Sequence, residues 1–135
     1  MLKQNKSRQN DYSDLDLDFL RNPTTNDVVI KRGDDAIKRS IRNLILTNYY
    51  DRPFRPSIGS NVQKLLFDEI ADPLVKNLLE TAIKETVYKF EPRVRLDYVE
   101  VTPDLDANGL NVKLQYTILN REEPITTSLF LERIR

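Results

Sequence analysis

The chain has 135 residues, 39% hydrophobic and 31% charged, which suits one domain with a real hydrophobic core and leaves little room for two. Its 21 Lys and Arg are matched by 21 Asp and Glu, and a net charge of +0 argues against duplex DNA or an anionic membrane as the dominant partner. With no cysteine and no histidine there is no disulfide framework, no thiolate or imidazole metal ligand and no His-centred triad, so no cofactor is expected.

Residues 1–12 are polar and read as a flexible arm ahead of a single domain over 13–135. Lys3, Lys6 and Arg8 are not followed by an apolar core, so the arm is not expected to be a signal peptide, and no run of about 18 apolar residues spans a bilayer. The chain is expected to work in a cytoplasm or in something assembled there. Leu15, Leu17 and Phe19 alternate with Asp16 and Asp18, the pattern of a short strand or of an arm that extends on docking. A turn over 21–27 leads to a brief extended piece at Val28-Val29-Ile30.

A helix is expected after Gly33, with Asp34 and Asp35 at its positive end and Ile37, Ile41, Leu44 and Ile45 on one face, fading near Thr47-Asn48. Asp51 to Ser60 holds two prolines and a glycine and reads as a loop, and its aromatic, its arginine stems and Ile58 predict a packed one. A short helix over Asn61 to Phe67 would bury Val62, Leu65 and Leu66. Asp72-Pro73 opens the longest helix, whose expected apolar stripe is Leu74, Val75, Leu78, Leu79, Ala82, Ile83 and Val87. It must stop near Phe90, because Pro92 disfavours helical geometry at Glu91.

Strands follow. Val94, Leu96 and Tyr98 alternate with charged residues, and the apolar phase then switches to Val99 and Val101, which suggests a bulge. Thr102 to Gly109 reads as a turn-rich connection. Leu110, Val112, Leu114, Tyr116 and Ile118 give the cleanest period of two, and Ile125, Thr127, Leu129 and Leu131 give the last strand. The expected class is α+β: about three helices, then a three-stranded antiparallel sheet, with an extra N-terminal strand or arm.

Chemistry finds little purchase. A glycosidase needs two carboxylates about 5–9.5 Å apart, and Asp68, Glu69, Glu91 and Asp97 are candidates in no recognisable motif, so solvated or paired surface acids are the better reading. Asp14, Asp16 and Asp18 lack the glycine and distal glutamate of a calcium loop. Lys38, Arg39 and Arg42 form a weak basic face diluted by Asp34 and Asp35. Glu91-Pro92-Arg93 differs because a carboxylate there meets the negative end of a helix dipole, at a cost of about 0.3–1 kcal/mol. Period two places Glu91, Arg93 and Arg95 on one face, opposite Val94 and Leu96, as either an incidental surface ion pair or a charged docking patch.

Taken in order, Ser40-Ile41-Arg42-Asn43-Leu44, Asp51-Arg52-Pro53-Phe54-Arg55-Pro56 with Gly59-Ser60, Leu65-Leu66-Phe67-Asp68 and Phe90-Glu91-Pro92-Arg93-Val94 resemble a known family over roughly residues 12–134. It is the "lysozyme-like" baseplate wedge family of contractile-tailed phages, which includes the type VI secretion component TssE. The resemblance implies a structural subunit, repeated around a six-fold baseplate in a virion tail, that contacts the helical core bundle of the other wedge proteins and initiates the sheath. Glu91 and Arg93 would dock that bundle with Pro92 setting their geometry, Arg95 beside them, and Arg52 and Phe54 from the matching loop. The sheath subunit would be met by strand addition, for which the Ile125–Leu131 strand is one candidate edge. The alternatives are a peptidoglycan-cleaving glycosidase, which the family label suggests, and the corresponding secretion-system component.

Overall fold

The computed structural model describes residues 13–15, 23–24, 30–66 and 72–133. The arm 1–12, Asp16 to Phe19, Val28, Val29, Phe67, Asp68 and Glu69 lie outside them. Contacts divide the chain into residues 1–40 and 41–135. In the first unit, strand β1 (Ser13–Leu15) runs antiparallel to β2 (Ile30–Arg32), with Ser13 opposite Arg32 and Leu15 opposite Ile30. Gly33 then turns the chain at φ +64, a conformation that suits glycine, and opens helix α1 (Asp34–Leu46). The unit boundary falls within this helix, between Ser40 and Ile41. Ala36, Ile37, Ile41, Leu44 and Ile45 are buried, which is the face the sequence spacing predicts.

The second unit is built from α2 (Val62–Leu65), α3 (Pro73–Phe90) and the strands β3 (Val94–Asp104), β4 (Gly109–Ile118) and β5 (Pro124–Glu132). Short α2 buries Val62 and the following Leu66, whereas Leu65 stays half-exposed. Asp72 caps α3, its Oδ1 accepting from the Leu74 amide at 2.8 Å with Pro73 at the first helical position, a start worth about 1 kcal/mol. The buried stripe of α3 is Val75, Leu79, Ile83 and Val87, joined by Thr86, whose hydroxyl donates back to the Ala82 carbonyl at 2.7 Å. Each of those aliphatic side chains contributes about 1.5–3 kcal/mol, as an upper estimate. Leu74 and Leu78, expected in the stripe, are instead 64% and 46% exposed. The i, i+4 row leans across the helix, so a straight stripe wide enough for all seven expected residues overshoots the contact with the sheet.

The sheet is an antiparallel meander of order β3-β4-β5, with α3 packed along β3. Leu110, Val112, Leu114, Tyr116 and Ile118 all face the core from β4. The expected bulge is present: register shifts between Leu96 and Tyr98, so Val94 and Leu96 before it share the inner face with Val99 and Val101 after it, and Tyr98 turns outward. β3 also continues through Thr102 and Pro103 to Asp104, where the sequence reading placed a connection. The real hairpin is tighter, closing through Asn108 at φ +50. The α+β order of three helices and a C-terminal three-stranded sheet is as the sequence predicts.

Candidate functional site

The Glu91-Pro92-Arg93 step is a turn rather than the start of a strand. The Glu91 amide closes α3 on the Val87 carbonyl at 2.9 Å, and the Val94 amide donates to the Glu91 carbonyl at 3.4 Å. That hydrogen bond spans a four-residue turn with Pro92 at its second position, where a fixed φ is favourable. The turn folds the Glu91 side chain inward until it is 2% exposed. Arg93 follows it, its Nε 2.5 Å from Glu91 Oε1 and its Nη2 2.7 Å from Oε2. Both carboxylate oxygens are therefore held by one planar guanidinium, the strongest and most directional form of ion pair. The Arg93 carbonyl accepts from the Leu119 amide at 2.9 Å, which pins the turn to the end of β4.

The single charged face expected for Glu91, Arg93 and Arg95 is thus corrected. Period two does not carry across a proline turn, so Glu91 points into the core, and Arg93 keeps 22% of its side chain exposed while covering it. Arg95 alone projects fully, with 74% of its side chain exposed, and its partner is Asp97 at 3.1 Å. Asp97 also accepts from the Thr117 hydroxyl at 2.6 Å. The Thr117 hydrogen bond, with the Arg95 guanidinium, holds the Asp97 carboxyl below its ordinary range against an opposing desolvation. Beside the turn, Lys84, Glu85, Tyr88, Arg95 and Leu96 flank a groove of about 450 Å³ floored by Val87 and Val94.

The loop with Arg52 and Phe54 is also other than expected. Residues 51–57 are all exposed and Phe54 is 96% exposed, so its side chains are not packed. Its order comes from the backbone. The Tyr50 amide donates to the Pro56 carbonyl at 2.9 Å, Arg55 to Arg52 at 3.2 Å and Ile58 to Arg55 at 3.2 Å. At the neck Gly59 lies at φ +158, and a Cβ there would sit 2.6 Å from the Asn48 carbonyl carbon. Buried Ser60 locks the neck, donating from its hydroxyl to the Ile45 carbonyl and from its amide to Thr47, both at 2.8 Å. The loop presents Tyr50, Arg52 and Phe54 to solvent on a rigid base.

The third feature is the outer edge of the sheet. The Val101 amide donates to Glu80 Oε1 at 3.2 Å, so the Val101–Val112 pair is not hydrogen-bonded and the Val112 backbone turns to Leu129. Alternation then directs Thr127, Leu129 and Leu131 to β4, and the amides and carbonyls of Thr126, Ser128, Phe130 and Glu132 away from it. Among the described residues β5 pairs with β4 alone. Ile125, Thr127 and Leu129 on the inner face are half-exposed, unlike their buried neighbours in β4.

A family model for baseplate wedge protein gp25 matches residues 31–123. The chain belongs to the gp25 family of baseplate wedge proteins. It is 30% identical to the baseplate wedge protein gp25 of Enterobacteria phage T4 over 114 residues, 84% of this chain and 85% of that one. Among solved structures it resembles a Geobacter sulfurreducens protein named for a tail lysozyme, at TM-score 0.69 and 23% identity over 76% of this chain and 92% of that one. A chain of the anti-feeding prophage baseplate matches at TM-score 0.63 and 20% identity, over 93% and 88%. A chain of the contracted pyocin R2 baseplate matches at 0.54 and 17%, over 88% and 98%. These neighbours share the fold. The gp25 match spans the exposed loop and the Glu-Pro-Arg turn and stops one residue before β5 begins at Pro124.

Sequence reasoning missed Glu80 and Thr117, and it quoted Ser60 only as part of a motif, without its hydrogen bonds. Each acts through a long-range hydrogen bond that periodicity does not encode. Pro103 was within reach, since a proline inside an alternating run marks an edge strand.

Proposed function

We propose that this gp25-family chain is a structural subunit of a contractile-tail baseplate wedge that docks on the helical core bundle of the other wedge proteins and offers its sheet to the tail sheath. It assembles in the host cytoplasm and is repeated around the six-fold baseplate. The observation that carries the reading is the open β5 edge. Four outward backbone positions lie beside three half-covered residues, Ile125, Thr127 and Leu129. An extended segment with apolar side chains at alternate positions satisfies the first and covers the second. The docking side is supported by the loop with Arg52 and Phe54 and by the groove with Arg95, since exposed aromatic and arginine side chains on a rigid base are what interface hot spots are made of. Glu91, Pro92 and Arg93 serve that surface by fixing its shape.

A peptidoglycan hydrolase is the weaker reading. Glu91 is clamped by Arg93 in the core, and Asp97 is held toward its ionised form, whereas a general acid needs a raised pKa and an open cleft.

Paired proline variants test the strand-addition claim. Ser128→Pro removes an outward amide and leaves the β4 ladder whole, so a folded chain that enters wedges but supports no sheath is expected. Thr127→Pro removes a ladder amide and should unfold the sheet. Normal sheath on Ser128→Pro baseplates refutes the proposal.

A further inference from the structure

A three-stranded sheet has two edges, and the two edges of this one are built differently. β3 runs along the edge next to α3, and its outward positions follow from the same alternation. Val101 faces outward because its amide goes to Glu80, and Val99 and Pro103 share its orientation. Before the bulge the Arg93 carbonyl bonds across to Leu119, so Arg93 and Arg95 face β4 while Val94 and Leu96 face outward.

Each stretch of that edge meets an obstacle. The Val94 amide is used by the Glu91 carbonyl in the turn. Asp97 is the extra residue of the bulge, where register is lost and the strand twists. The Val101 amide is used by the Glu80 carboxylate, reaching from α3 about two turns beyond the capped start of that helix. Pro103 has no amide. Among the described residues β5 carries no such series. Its register against β4 is unbroken over nine pairs, Pro124 stands at its first residue, and four outward positions follow.

We propose that Glu80, with the Asp97 bulge and Pro103, closes the β3 edge, so that this sheet accepts a strand at β5 and nowhere else. The inference deepens the strand-addition reading by assigning the residue that gives it direction. A wedge subunit open at both edges would join its own copies edge to edge, or take a partner strand on the wrong side of the sheet. Glu80 suits the task because its carboxylate is an acceptor on a long stem. It occupies one outward donor without entering the ladder, and it sets a negative charge where an incoming strand would lay a carbonyl.

Residue-resolved amide hydrogen exchange by NMR tests this on the full chain, at low and high protein concentration. The samples are wild type, Glu80→Ala and Glu80→Gln. In Glu80→Ala, at low concentration, exchange at Val101 should quicken about fivefold, the loss of one ordinary hydrogen bond, with the Val87 amide in α3 unchanged. At high concentration the same variant should gain protection at Val99 and Val101 as copies pair along β3. Glu80→Gln keeps an acceptor oxygen and should behave as wild type at low concentration. Unaltered Val101 exchange in Glu80→Ala overturns the proposal, as does an absence of concentration-dependent protection at β3. Glu80→Gln behaving like Glu80→Ala at Val101 also overturns it, because the acceptor would then not be what matters. Failure of the parent reading looks different: β3 closure would hold in these samples, while Ser128→Pro baseplates would still carry sheath.

Discussion

Arg93→Ala takes both hydrogen bonds of the fork from a carboxylate that is 2% exposed. A surface pair broken this way costs about 0–1 kcal/mol, whereas removing one partner of a buried pair costs about 3–5 kcal/mol. Glu91 is fully buried and Arg93 keeps 22% of its side chain in solvent, so the lower end of the second range applies, about 3 kcal/mol. For a domain of this length that is a fall of about 10 °C in Tm. Urea denaturation should show a lower midpoint with an unchanged slope. Arg93→Lys keeps the charge but cannot form the fork, and should fall between. The double change Glu91→Leu with Arg93→Met removes both charges and should recover most of the loss. A cost below about 1 kcal/mol for Arg93→Ala, with no recovery in the double variant, would refute the view that the turn is held by a buried ion pair.

Three further outcomes are expected. Phe54→Ala should change stability by less than about 0.5 kcal/mol in urea, since the ring is 96% exposed, and should lower incorporation into wedges in a complementation assay. Gly59→Ala should cost at least about 2 kcal/mol in the same urea assay, because its Cβ meets the Asn48 and Tyr49 backbone at 2.6–2.7 Å. Asp97 has a folded pKa below its unfolded value, so it contributes stability above about pH 4 that is lost as pH falls through the folded pKa. Thr117→Val should move the Asp97 carboxyl titration upward by NMR and flatten that acid-side loss, and an unmoved titration would discount the Thr117 hydrogen bond.

Much of the fold was legible because periodicity reports burial directly. The run Leu110 to Ile118 could face a core only as a strand, and the switch from Tyr98 to Val99 located the bulge that re-phases β3. The candidate site was less legible. Glu91, Arg93 and Arg95 look alike at a spacing of two, yet a proline turn separates a core carboxylate from an exposed arginine, and that depends on torsion angles rather than on pattern. Phe54 misled in the other direction. An aromatic among prolines normally signals packing, and here the backbone hydrogen bonds order the loop while the ring stays outside. Leu74 and Leu78 are similar, apolar residues on α3 that stay exposed. The reach of Glu80 to the Val101 amide, 21 residues along the chain, is a contact that no spacing encodes.

The central claim is tested most directly by a cryo-EM reconstruction of the wedge bearing its first sheath ring, at a resolution that traces backbone. The account predicts an extended sheath segment hydrogen-bonded to Thr126, Ser128, Phe130 and Glu132, with the β3 edge free of any added strand. A β5 edge left bare in the sheathed particle, or a sheath strand laid along β3, would contradict it.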